Sequence, residues 1–245
     1  VSEVVFVGTS DAFGAGGRRQ SAVFVRGERG ALLLDCATTT NTGLLALGIE
    51  RDEVDAILIS HFHGDHFGGI PLFLLAALYE DGRKRPLEIA GPPQVEARVR
   101  RLAEAMGHSI DEQDWSFPIR FHELRPGAEI AVGPAAARAF PTRHQIEANP
   151  HGHRVALGRE TLVYSGDTGW FDELPRHAAG ADLFICECTF LDRRFDFHLN
   201  LEQLEQHRGD FDCDRIVLTH LGSEMAERRG AVSFETADDG LRVKL

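Results

Sequence analysis

The chain has 245 residues, 43% of them hydrophobic and 26% charged, with a formal net charge of -12. This length and composition suit a globular chain with a full core and exclude a disordered or low-complexity one. The acidic sum disfavours a surface built to grip phosphate backbones.

In chain order, "VVFVGTSDAFG" predicts a buried strand entering a glycine-rich loop. "SAVFVRGERGALLLDCATTT" predicts two strands with a turn near Gly27 to Gly30. "NTGLLALGI" is a short helix with Thr40 or Asn41 as its cap. "VDAILISHFHGDH" is a strand that ends in a cluster of polar residues, and "GIPLFLLAALYEDG" continues as an apolar helix. "PLEIAGPP" is a short strand and "PQVEARVRRLAEAMG" an amphipathic helix.

The second half repeats this texture. "IRFHEL", "AEIAVG" and "AAARAFPTRH" read as strands, "HRVALGRETLVYSGDTG" as a hairpin and "ADLFICECTF" as a further strand. A helix at "NLEQLEQHRGDF", the strand "RIVLTHLG" and a last strand "LRVKL" close the chain. No linker interrupts it, so residues 1–245 are expected to form one α/β domain, with two β-rich halves facing each other and helices outside.

The four cysteines, Cys36, Cys186, Cys188 and Cys213, lie in apolar runs without framework spacing and are expected as mostly buried, reduced thiols. No apolar stretch resembles a signal peptide or reaches transmembrane length, so no membrane partner and a cytoplasmic location are expected. Val1 stands where a start methionine would, and the natural start is expected to differ.

The stretch "SHFHGDHFGG" carries the chemistry. His61 and His63 alternate, so in extended backbone they point to one side. Asp65 and His66 follow as the chain turns. Imidazole and carboxylate in this density suit zinc, manganese or iron, and one loop can feed two adjacent ions. Gly64, Gly68 and Gly69 are expected to bring backbone close to the ions in unusual dihedrals. Later strand ends offer His144 in "FPTRH", Asp167 in "VYSGDTG" and His220 in "IVLTHLG".

The order HxHxDH, then His, Asp and His, resembles the metallo-β-lactamase superfamily of αββα hydrolases. The start "GTSDAFGAGGRRQSA" followed by "LLLDC" is similar to its ribonuclease Z and cyclic phosphodiesterase branch. The resemblance implies an αββα sandwich and two divalent ions per chain, zinc or manganese. His61, His63 and His144 would hold one ion and Asp65, His66 and His220 the other, with Asp167 bridging. A hydroxide between the ions would be the nucleophile. Asp35 would orient a ligand histidine. The catalytic candidates are Asp65, His198 and Glu187. His198 stands where relatives turn a histidine toward the scissile phosphate, with Glu187 in support, although Leu199 replaces the small hydroxyl residue usual after it.

The implied function is hydrolysis of a small or cyclic phosphodiester. Two alternatives share the ligand set: a thioester or lactone hydrolase, and a non-hydrolytic metal-binding accessory protein of cofactor biosynthesis. The glycine loop "GAGGRRQS" is expected to wall the site, with Arg18 or Ser21 touching substrate. His151 and His153 either line the pocket or belong to the hairpin. The expected partner is a small-molecule phosphodiester, with self-association into a homodimer allowed. His144 and Asp167 stand too close in sequence for the long arm of tRNA-processing enzymes, and with the charge of -12 this gives the expectation that tRNA is unsuitable.

Overall fold

Strand β1 (Glu3–Gly8) is buried along both faces, Val4 and Phe6 on one side and Val5 and Val7 on the other. Such a strand must lie between two apolar layers. The computed structural model, which describes residues 2–245, shows what those layers are.

The first sheet holds β1, β2 (Ala22–Gly27), β3 (Gly30–Leu34), β4 (Val54–Leu58), β5 (Leu87–Gly91) and β6 (Ile119–Glu123). The second holds β7 (Glu129–Val132), β8 (Ala135–Pro141), β9 (His151–Leu157), β10 (Glu160–Tyr164), β11 (Leu183–Glu187), β12 (Ile216–Thr219) and β13 (Glu235–Thr236). The last strand, β14 (Arg242–Lys244), returns to the first sheet beside β1. Among the described residues the orders are β14-β1-β2-β3-β4-β5-β6 and β13-β12-β11-β10-β9-β8-β7, seven strands each. Each sheet is mixed. Pairing is antiparallel through β14-β1-β2-β3 and through β7-β8-β9-β10, and parallel beyond.

The period-2 alternation of the strands sorts the core into layers. Val4, Phe6, Leu32, Leu34 and Leu58 of the first sheet meet Val155, Leu162, Ile185 and Val217 of the second. Outside the first sheet, Val5, Leu33 and Ile57 pack under α3 (Ile70–Tyr79) and α4 (Val95–Ala105). Outside the second, Val163, Phe184 and Leu218 pack with α5 (Leu174–Ala178), α6 (Leu201–Gln206) and α7 (Ser223–Glu227). The αββα sandwich read from the sequence is the observed architecture. Two further helices, α1 (Thr40–Ala46) and α2 (Gly64–Phe67), precede α3 in the chain.

Helices α5 and α7 and strand β13 are not among the elements expected from the sequence, and two local readings differ. Helix α1 has Thr39 at its cap position rather than Thr40 or Asn41, and no side chain caps it. The Thr39 hydroxyl instead accepts the Gln20 amide at 2.9 Å, which ties the helix to the glycine loop. The single apolar helix expected after the polar cluster is preceded by the separate turn α2. Helix α6 follows its sequence signal: Asn200 caps it, accepting the Gln203 amide at 2.8 Å. Among the described residues no helix is long and apolar enough to cross a membrane.

Candidate metal centre

The polar cluster follows the C-terminal end of β4, so the strand delivers it at one edge of the sandwich. The ends of β8, β10 and β12 deliver His144, Asp167 and His220 to the same cavity, and Glu187, the last residue of β11, lies buried behind it. The His63 carbonyl accepts the amides of His66 at 3.0 Å and Phe67 at 3.1 Å, which starts α2 and turns Asp65 and His66 inward. The glycines here do not adopt the left-handed dihedrals expected of them. Their role is close approach: a Cβ on Gly69 would lie 2.0 Å from the Ala37 carbonyl oxygen. Besides Gly166 (φ 57°), the left-handed positions at the site are Asp35 (φ 61°) and His220 (φ 54°), non-glycine residues held in strain.

Among the described residues nine side chains converge: seven form two groups that share Asp167, and a third group joins Glu187 and His198 to His220. In the first, His63 Nδ1 lies 3.2 Å from His61 Nε2 and 3.1 Å from His144 Nε2. Asp167 Oδ2 stands 3.7 Å from His61 Nε2 and 3.9 Å from His144 Nε2. In the second, Asp65 Oδ2 is 3.3 Å from His66 Nε2 and 3.4 Å from His220 Nε2. Asp167 reaches His66 Nε2 at 3.2 Å and His220 Nε2 at 3.4 Å. His66 Nε2 and Asp167 Oδ1 are both buried without a hydrogen bond, an arrangement that costs free energy unless a cation satisfies them. Burial alone would favour a neutral Asp167, but His220 and His66 outweigh it and hold the carboxyl well below its ordinary range. Asp65 is shifted the same way, burial again being outweighed, chiefly by His66 and His220. Ionised carboxylates and imidazole nitrogens at these spacings fit divalent metal ions.

Behind the rings lies a layer that fixes which nitrogen faces inward. His66 Nδ1–H donates to Asp35 Oδ2 at 2.7 Å. The Ser60 hydroxyl donates to the same carboxylate at 2.8 Å and sits 3.0 Å from His61 Nδ1, whose proton it can accept. His144 Nδ1–H donates to the Phe197 carbonyl at 2.9 Å. Sequence reasoning placed Asp35 here but missed Ser60 and Tyr164, whose hydroxyl also donates to Asp35 at 2.7 Å. Ser60 had a signal, since it directly precedes the cluster. Tyr164 had none, because it reads as one more apolar residue of its strand.

His198 stands on the loop before α6, its Nδ1–H donating to Glu187 Oε1 at 2.9 Å. Burial disfavours its charged ring, yet the Glu187 carboxylate more than compensates and pushes the pKa up to about 9. Glu187 also accepts the amides of Thr168 at 2.8 Å, Thr189 at 3.2 Å and Leu199 at 3.2 Å. Its lone pairs are committed to the protein, so it acts as the anchor of His198 rather than as a further metal ligand. Leu199 contributes its backbone amide to that anchor and buries its side chain.

The cavity over the two groups has a volume of about 640 Å³. Phe13, Phe190, Phe195, Phe197, Arg193 and His198 form part of its wall. Arg18 and Ser21 do not line it. Arg18 turns away, its guanidinium buried and 4.0 Å from Asp238. The loop residues that reach the cavity are Asp11, Ala12 and Phe13. His151 and His153 are buried beneath it, with His153 Nε2–H donating to the Ile59 carbonyl at 2.9 Å.

The profile of the family described as "Anti-Pycsar protein Apyc1" matches residues 2–237. A protein named Ribonuclease Z from Halorubrum lacusprofundi is 36% identical over 146 residues, 59% of this chain and 44% of that one, so this match spans less than half of the relative. One of the same name from Myxococcus xanthus is 27% identical over 99% of this chain and 97% of its own. The crystal structure of human tRNase Z, short form, is 26% identical with a TM-score of 0.79, covering 99% of this chain and 98% of the human one. These similarities bear out the resemblance to the metallo-β-lactamase superfamily and its ribonuclease Z-like branch. With the ligand groups they mark the chain as a metal-dependent hydrolase.

The expectation that tRNA is unsuitable does not hold against them, since the full-length matches are to proteins named for RNA processing. The physical error is the use of a whole-chain charge for a local property. Arg193 lines the cavity, and Arg143 and Arg194 line the adjoining one, whatever the sum of -12 elsewhere.

Proposed function

Because the chain belongs to the Anti-Pycsar protein Apyc1 family, we propose that it hydrolyses a small or cyclic phosphodiester at two divalent metal ions, zinc or manganese. The observation that carries this reading is the His198–Glu187 pair beside the two ligand groups. An alkoxide leaving from phosphorus needs a proton, and a thiolate leaving from a thioester does not. A histidine held protonated by a buried carboxylate at the cavity wall serves the first reaction.

His61, His63 and His144 would hold one ion, Asp65, His66 and His220 the other, with Asp167 between them. Such a pair, when bound, supplies Lewis acidity at the phosphoryl oxygens and a nucleophile at neutral pH. The protein's own residues do the rest. Asp35, Ser60 and Tyr164 hold the ring planes of His61 and His66. Glu187 holds the Nδ1 proton of His198, which leaves Nε2 as the nitrogen that delivers a proton to the departing oxygen. Phe190, Phe195 and Phe197 give the cavity apolar walls that reduce the solvation of the reacting charges. A cytoplasmic location goes with this reading, since Cys36, Cys186 and Cys188 are buried free thiols.

The test is a substrate panel with the metal-loaded protein: bis-p-nitrophenyl phosphate, five- and six-membered cyclic phosphodiesters, precursor tRNA, thioesters and lactones. Turnover of the small phosphodiesters is expected to exceed that of the thioesters and lactones. Faster turnover of a thioester or lactone than of every phosphodiester would sink the proposal, and precursor tRNA as the best substrate would move the chain to the activity its relatives are named for.

A further inference from the structure

His220 is the ligand candidate held in the left-handed region, and the residue that meets its outward nitrogen is Thr189. We propose that Thr189 is a positioning residue: its hydroxyl fixes the tautomer of His220 and joins that ring to Glu187, the anchor of His198. The inference rests on the metal-site reading above and goes beyond it, since Thr189 is neither a ligand nor an acid.

The direction of each bond follows from proton counting. Thr189 Oγ1 has four polar neighbours: His220 Nδ1 at 2.9 Å, Glu187 Oε2 at 3.0 Å, the His220 carbonyl at 3.2 Å and His198 Nδ1 at 3.3 Å. A hydroxyl has one proton to give and lone pairs to accept with. His220 Nε2 faces Asp65 and Asp167, each at 3.4 Å, so its lone pair must be free for a cation and the ring proton must sit on Nδ1. Thr189 Oγ1 therefore accepts from His220. Its own proton goes to the strongest acceptor in reach, the carboxylate oxygen Glu187 Oε2. His198 Nδ1 is no competitor, because its proton is already committed to Glu187 Oε1. The result is one buried chain, His220 to Thr189 to Glu187, with His198 joining Glu187 from the other side.

The backbone holds Thr189 for this task. The Cys188 amide donates to the Thr219 carbonyl at 2.9 Å, and the Gly222 amide donates to the Thr189 carbonyl at 3.1 Å. The two loops that carry Thr189 and His220 are thus cross-tied on both sides of the contact. Gly222 is required at that tie, since a Cβ there would stand 2.5 Å from the Thr189 carbonyl oxygen. Without the hydroxyl Glu187 loses one donor but keeps its backbone donors and His198, whereas His220 Nδ1 loses its side-chain partner, so the larger effect falls on His220.

Thr189→Val keeps the shape and removes the hydroxyl, and Thr189→Ser keeps the hydroxyl and removes the methyl group. Zinc binding to metal-free wild type, Thr189→Val and Thr189→Ser is measured by calorimetry, with thermal melting of each metal-free protein as the check on folding. Loss of a partner behind a ligand histidine costs about 10–100-fold in metal affinity. One of the two zinc-binding steps is expected to weaken on that order in Thr189→Val, with the serine variant restoring it. If the valine variant does not fold, Thr189→Ala is read in its place. Wild-type affinity in both steps of the valine variant, or a serine variant as weak as valine, overturns the role. A wild-type protein that takes up no zinc or manganese overturns the metal reading itself, a result distinguishable from the other two.

Discussion

The Tyr164 hydroxyl and His66 Nδ1 each donate to the same oxygen, Asp35 Oδ2, at 2.7 Å. Tyr164 ends β10 of the second sheet, and Asp35 directly follows β3 of the first. The pair is therefore a brace between the two sheets at the floor of the metal centre. Asp35 also accepts the Ser60 amide at 2.7 Å, and with this saturation it tolerates a left-handed backbone that favours glycine. Hydrogen bonds to charged groups contribute about 1.5–3 kcal/mol. Tyr164→Phe should lose about that much stability in urea denaturation of the metal-free protein. A variant as stable as wild type would show that the brace is not a source of stability.

Asp167 is the one side chain common to both ligand groups. Asp167→Ala should therefore cost the protein at least one equivalent of metal and nearly all hydrolysis, while the fold survives on its three apolar layers. Metal analysis of protein purified without chelator reads the first quantity, and circular dichroism the last. Full metal content at wild-type rate would show that the groups are not joined through Asp167.

How much of this was readable in advance depended on whether a signal was local. The αββα sandwich showed because most strands are short apolar runs bounded by turn residues, and the polar cluster showed because it interrupts such a run. Asp167 and His220 showed because each is a polar residue at the end of an apolar strand with a glycine close behind. Tyr164 and Thr189 did not show. Their roles come from partners far off in the chain, Asp35 lying 129 positions from Tyr164 and His220 31 from Thr189. The glycine loop misled for a related reason: three left-handed glycines, Gly14, Gly16 and Gly17, match a phosphate cradle locally, yet the turn they make directs Arg18 toward Asp238.

The proton on His198 gives a prediction that separates acid catalysis from binding. A general acid contributes about 10²–10⁴-fold, and only where the leaving group needs a proton. His198→Ala should keep its metal and lose rate on that order with an alkyl phosphodiester, but much less with a p-nitrophenyl ester. Rates on both substrates, in wild type and variant, give the comparison. An equal loss on the two would assign His198 to positioning, and a loss of metal would make it a ligand.

The two histidines beneath the centre predict how the protein responds to acid. Burial, reinforced by His153, lowers the pKa of His151 to about 4, and burial lowers that of His153 as well. Both Nδ1 atoms are buried without a hydrogen bond, so neither ring has an acceptor ready for a second proton. In the unfolded chain a histidine titrates near its ordinary value of about 6.5. Above that pH both states hold a neutral ring, and His151 adds no pH dependence. Between about 6.5 and about 4 the unfolded chain takes up a proton that the folded chain refuses, so stability falls as pH falls. Below about 4 both states are protonated and the slope from this residue ends. His151→Asn removes the titration and leaves a polar side chain of smaller volume. The variant is expected to be weaker at pH 7, and its deficit against wild type should shrink steadily as the pH drops through this window. Because the metal ligands titrate alike in both proteins, the difference between the two denaturation midpoints isolates His151. A difference that stays constant across the window would show that the ring is protonated in the folded protein, with a partner supplied on acidification.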